Sequence, residues 1–143
     1  MQIIKQFNET MPNTFEAGRT QVNVGIVPIT KTIDGMEVSG YEYITVCFDT
    51  PSFYTDDALF EIAKKEARNY ELIRIVVEVD GYVLDGDETS QERMNRAYTM
   101  LADGGTKEWK DANNEWQNIP KETFKNAVIV AGTKQTELWV KYV

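Results

Sequence analysis

The chain has 143 residues, of which 42% are apolar and 27% charged, with a formal net charge of −8. Those proportions sit near the soluble average and set the disordered and membrane-spanning classes aside. The acidic balance argues against nucleic acid as a partner, because phosphate binding needs a basic footprint.

Histidine is absent and Cys47 is the single cysteine. That removes Ser-His-Asp and Cys-His nucleophile pairs, histidine- or cysteine-rich zinc sites and any internal disulfide. Only carboxylate, lysine, tyrosine or arginine chemistry is left. The longest apolar runs are short, such as Ile75-Val76-Val77, far below a membrane span. The opening MQIIKQFNETMPN has no basic flank leading into an apolar block, so no signal peptide is expected.

In chain order, Ile3, Ile4 and Phe7 suggest a short edge strand, with Pro12 and Gly18 as breakers. Gln21 to Ile33 is rich in valine, isoleucine and threonine and predicts a strand. Pro28 has no N–H for a ladder, which places this strand at an edge or gives it a bulge. Asp34-Gly35 predicts a tight hairpin turn into a return strand, Met36 to Thr50, with a break near Ser39-Gly40. Ile44, Val46 and Phe48 share one face of it, and Tyr41, Tyr43 and Cys47 the other. Both faces are partly apolar, so packing on each side is expected.

Thr55 caps a helix that opens with Asp56-Asp57 and carries Leu59, Ile62, Ala63, Ala67 and Tyr70 at helical spacing. Val77 to Leu84 predicts a short hairpin turning at Asp80-Gly81. Thr89 and Glu92 have capping-box spacing before a helix with Met94, Ala97, Tyr98 and Leu101 as its buried stripe, ended by Gly104-Gly105. Lys107 to Ile119 suggests a second hairpin, with Trp109 facing Trp116 around Asp111-Ala112-Asn113-Asn114. Pro120 is placed to start the last helix, whose stripe runs Phe124, Ala127, Val128, Ala131, Leu138, Trp139 and Tyr142. Gly132 weakens its middle and offers room for close packing.

The predicted class is α+β: an N-terminal antiparallel hairpin or small sheet plus a helix, then a C-terminal hairpin and two packed helices. The expected division is residues 1–76 and 77–143, with one compact unit as the alternative.

From Val79 the chain reads Val79-Asp80-Gly81-Tyr82-Val83-Leu84-Asp85-Gly86-Asp87-Glu88, then Ser90-Gln91-Glu92-Arg93-Met94, then Trp109, Asp111 and Asn113. This order resembles a C-terminal domain of unknown function found in small proteins encoded beside tail-fibre genes of phages and prophages. Pro120 departs from that pattern, which has threonine or serine at the helix cap. The "GYEY" strand at Gly40-Tyr41-Glu42-Tyr43 is similar to small tail-region proteins. The resemblance implies an assembly or structural role, with a phage tail component as partner. It also implies a location in the virion or in the host cytoplasm during assembly. It carries over no catalytic residue and no cofactor.

Several residues admit a sharper chemistry beside a plainer reading. Asp80, Asp85, Asp87 and Glu88 could ligate calcium, but an EF-hand loop begun at Asp85 puts Arg96 where a bidentate glutamate belongs. A turn plus a helix N-terminus stabilised by carboxylates accounts for them instead. Asp49, Asp56, Glu61 and Asp87 could supply an acid/base pair for glycoside cleavage, with no nucleophile motif in support. Trp109 and Trp116 form either a cross-strand core contact or a partner anchor.

The expectation is therefore a non-enzyme without metal, cofactor, nucleic acid or membrane. It would bind another protein through Trp109, Asn113, Asn114 and Trp116, and self-association is left open. The alternatives are a small acidic accessory protein that binds a host or defence factor, and a carboxylate-dependent hydrolase.

Overall fold

Two Asp-Gly pairs set the tightest turns. In the computed structural model, which describes residues 1–143, Asp34 and Gly35 have φ of 51° and 78°, and Asp80 and Gly81 have 53° and 83°. Positive φ at both central residues marks the type I′ turn, whose twist matches that of the strands it joins. The architecture is α+β. Its elements run β1 (Gln2–Asn8), β2 (Phe15–Glu16), β3 (Gln21–Ile33), β4 (Met36–Cys47), α1 (Asp56–Leu72), β5 (Val76–Val79), β6 (Tyr82–Asp85), α2 (Glu88–Met100), β7 (Thr106–Lys110), β8 (Trp116–Pro120) and α3 (Lys121–Lys141). They form two compact units, Met1–Tyr70 with Lys141–Val143, and Glu71–Val140. No helix is long and apolar enough to cross a membrane.

In the first unit the strands lie in the order β1-β4-β3-β2, with every pair antiparallel. Val22 pairs with Val46 and Val24 with Ile44, which puts four fully buried aliphatic side chains on one face. On α1, Leu59, Ala63 and Ala67 are fully buried, as their spacing predicts. The Thr55 hydroxyl caps the helix by accepting the Ala58 N–H at 3.2 Å. Arg19 reaches the same end, bonding the Tyr54 carbonyl and pairing with Asp56 at 2.6 Å.

The other face is held by polar bonds. Gln6 donates to the Thr45 hydroxyl, which donates to Asn23 Oδ1, and Asn23 Nδ2 donates to the Asn13 carbonyl, each at 2.7 Å. Asn23 and Thr45 are both only 1% exposed, so an unmade link in this relay would cost a full desolvation penalty.

Of the two expectations for Pro28 the bulge is present, whereas β3 lies between β4 and β2 and is open only where β2 has ended. The register of β3 slips between Val24 and Val27, where Gly25 has φ of 63°, and β2 is too short to pair with Pro28. The break expected at Ser39-Gly40 does not occur, and β4 is continuous. Gly40 is there because β1 crosses closely: a Cβ would sit 2.6 Å from the Asn8 carbonyl oxygen.

The second unit is hairpin, helix, hairpin, helix around a core that includes Val77, Leu84, Met94, Ile119, Phe124, Ala127 and Ala131. Several boundaries differ from the sequence reading. α2 begins at Glu88 after Asp87, so Thr89 lies inside the first turn and the Thr89–Glu92 capping box does not form. Instead the Ser90 hydroxyl donates to the Asp87 carboxylate. α2 also ends before the glycine pair, since Leu101 is extended at φ −80° and ψ 139°. Leu101 therefore packs against the core from just past the helix, and Gly104 makes a later turn at φ 75°.

Pro120 closes β8, paired with Thr106, rather than opening the helix. In α3, Phe124, Ala127 and Ala131 are buried, while Trp139 is 48% exposed. Gly132 is not a close-packing site, because a Cβ there would meet only Gln91 Oε1 at 3.8 Å. Tyr142 is buried in the first unit, against Gly25.

Candidate functional site

The β7–β8 hairpin holds all four residues singled out from the sequence, and Asp111 organises it. The chain reverses through Ala112-Asn113-Asn114, with Asn114 at φ 62°. This is the three-residue hairpin loop that ends in a left-handed residue. Asp111 closes it from the backbone: its N–H donates to the Glu115 carbonyl at 2.8 Å and its carbonyl accepts the Asn114 N–H at 3.1 Å. Its carboxylate accepts the N–H groups of Asn113 and Glu115, both at 2.9 Å, and the Gln117 amide at 3.2 Å. The Ala112 N–H also donates to the Val83 carbonyl of β6 at 2.8 Å.

The Glu115 N–H does most to stabilise the ionised Asp111 carboxylate. Desolvation opposes it, Gln117 and Asn113 assist, and the pKa falls below the ordinary aspartate value.

This loop places the two tryptophans on opposite faces. Trp109 pairs with Gln117 and Trp116 pairs with Lys110. The cross-strand tryptophan pair expected from the sequence does not form. Trp109 is half-buried and meets Phe124 edge-to-face, with ring centroids 4.9 Å apart at 68°. Trp116 stands outward and is 70% exposed. Asn113 and Asn114 are exposed at the tip, their backbones committed to the turn.

Beside the hairpin lies an open concavity of about 410 Å³, lined by both tryptophans and Asn114 together with Asp85, Ser90, Arg93, Lys107 and Lys110. The sequence reading did not place these last five at the hairpin. Lys107 and Lys110 carried only the signal of strand parity, which depends on the loop length, and Asp85, Ser90 and Arg93 come from β6 and α2, which only the fold brings alongside. Asp85, though exposed, has a raised pKa, chiefly because partial desolvation disfavours its charge, and further because of the charges on Asp87 and Asp111.

The four acidic residues that the sequence reading assigned to a turn and a helix start, rather than to calcium, have separate partners. Asp80 turns toward α3, accepting the Thr123 hydroxyl at 2.9 Å and the Asn126 amide at 3.3 Å. Asp87 is engaged by Ser90 at the start of α2. No group of three or more Asp, Glu or Cys side chains has a metal-holding arrangement. No protein-family model matches the chain, and comparison with curated proteins and with solved structures finds no match either.

Proposed function

We propose that this protein is a non-enzymatic, tail-associated phage or prophage protein that works by binding another protein through the β7–β8 hairpin. The reading rests on one observation: Trp116 is 70% exposed on a hairpin whose loop is tied down at five points by Asp111. A large aromatic held rigidly in water loses little conformational freedom when covered, which is the property of a binding anchor. Lys110 opposite it, Asn114 at the tip and Arg93 in the adjoining concavity supply a polar surround for such a contact. The order of motifs from Val79 to Asn113, which resembles the tail-fibre-associated domain, points to a tail component as the partner. The protein would then act in the virion or in the host cytoplasm during assembly.

The test is capture of tail proteins from lysogenic or infected cells, together with co-purification with virions. Trp116→Ala should lower recovery of the captured partner by roughly 30-fold, corresponding to the loss of about 2 kcal/mol at a tryptophan hot spot. Recovery equal to the parent's would reject the hairpin as the binding surface. Capture of host proteins with no tail component would reject the tail assignment.

A further inference from the structure

The two edges of the four-stranded sheet differ in their protection. On the β3 side, β2 covers Gln21 and Val22, the ladder slips at Gly25, and Pro28 lacks a donor. Such devices keep an edge from pairing with another chain. β1 on the opposite side runs unbroken from Gln2 to Asn8, fully paired with β4, with no proline, glycine or bulge. None of the chain's 23 acidic residues lies in it, so this edge escapes the repulsion that a net charge of −8 puts elsewhere.

Two hydrogen bonds fix which backbone groups of each strand point to which neighbour. The Phe48 N–H donates to the Thr20 carbonyl, and the Asn23 N–H donates away from β4 to Thr14. Even-numbered residues of β4 therefore bond to β3 and odd-numbered ones to β1. Through the register, Gln2, Ile4, Gln6 and Asn8 face β4. The N–H and C=O groups of Ile3, Lys5 and Phe7 point outward, and no strand of the chain pairs with them.

We propose that β1 is a self-association edge, on which two copies pair antiparallel about a two-fold axis through Ile4 and join their sheets. In this register Ile4 faces the partner's Ile4, Gln2 faces the partner's Gln6, Ile3 faces the partner's Lys5, and Met1 faces the partner's Phe7. Ile4 and Met1, 38% and 60% exposed, gain apolar neighbours. A register centred on Lys5 would set two ammonium groups opposite each other, one centred on Ile3 would shorten the paired stretch, and one centred on Gln6 would set Ile4 opposite Asn8 and Ile3 opposite Glu9, giving up the apolar pairs. The seam is one strand wide, so the dimer is weak and concentration-dependent.

Analytical ultracentrifugation over a concentration series should show the parent moving from 16.4 kDa toward twice that mass. Ile4→Glu, which sets two carboxylates face to face at an exposed position, should hold it at the monomer mass with its circular dichroism spectrum unchanged. On a Cys47→Ala background, Ile4→Cys should form an intermolecular disulfide under mild oxidation, because facing residues of this kind lie within bonding reach. Gln2→Cys should not, since the two copies of that residue would be about 14 Å apart along the strands. A parent that stays monomeric throughout overturns the proposal and leaves the edge to a strand of another protein. Cross-linking from Gln2→Cys as efficient as from Ile4→Cys overturns the register. β1 and the β7–β8 hairpin share no residue and the two tests read different outcomes, so the two proposals fail independently.

Discussion

The carboxylate of Asp111 accepts the backbone N–H of Glu115 at 2.9 Å, four residues on, within the turn that the two residues close. Asp111 is 6% exposed and fully partnered by its own loop. Its hydrogen bonds favour the ionised form, so the folded pKa lies below the unfolded value. The stability this provides is fully present above the unfolded aspartate pKa, near 3.9, and is lost as pH falls through the folded pKa. Asp111→Ala should lower the melting temperature at pH 7, and the deficit should shrink in acid. A deficit that stays constant from neutral pH down to pH 2 would contradict this account.

Asp85 has the opposite sign. Partial desolvation and the charges of Asp87 and Asp111 raise its folded pKa, so ionised Asp85 costs stability above that pKa and protonation relieves the cost. Asp85→Asn should raise the melting temperature at pH 7 and leave it nearly unchanged at pH 3. Thermal melts at the two pH values measure the difference directly.

Glycine chemistry gives a paired test in the second unit. A Cβ on Gly86 would lie 2.9 Å from Ile75 Cγ2 and 3.0 Å from Ala131 Cβ. Both are packed side-chain positions that cannot swing away, so Gly86→Ala should destabilise by about 1–3 kcal/mol. Gly132 sits inside α3 with open space around it. Gly132→Ala should stabilise by about 0.5–1 kcal/mol, through helix propensity alone. Urea unfolding of both variants should move the midpoint in opposite directions.

Leu84 is fully buried on β6, whereas Leu101 is partly exposed just beyond α2. Leu84→Ala should cost about 2–5 kcal/mol. The cost of Leu101→Ala should be clearly smaller, because the truncated side chain leaves a dent open to water instead of a cavity. Equal losses would mean that Leu101 is buried as deeply as a helical stripe residue.

Local signals with a single physical meaning were legible in the sequence. Both Asp-Gly turns, the Thr55 cap, the bulge in the Pro28 strand and the stripe of α1 appear where the residues put them. Signals shared between two neighbouring readings were not. Thr89 and Asp87 are both good caps, and the chain uses the position of Asp87. For the second hairpin, a four-residue turn would have paired Trp109 with Trp116. The Asp111-centred loop moves the pairing by one residue, and a one-residue slip changes the face of every side chain. The candidate site was therefore named by its residues but not by its geometry. Arg93, Lys107 and Asp85 join it only through the fold.

That slip separates the two tryptophans by role. Trp109 contacts Phe124 in the core, so Trp109→Ala removes an edge-to-face pair and part of the second unit's apolar packing. It should destabilise by about 3 kcal/mol, the lower end for a large aromatic because Trp109 is only half-buried. Trp116 has no core face to lose, and Trp116→Ala should stay within about 0.5 kcal/mol of the parent. Chemical denaturation of the isolated protein distinguishes them without any partner present. If Trp116→Ala proves as destabilising as Trp109→Ala, Trp116 is a structural residue, and its role as a binding anchor loses its basis.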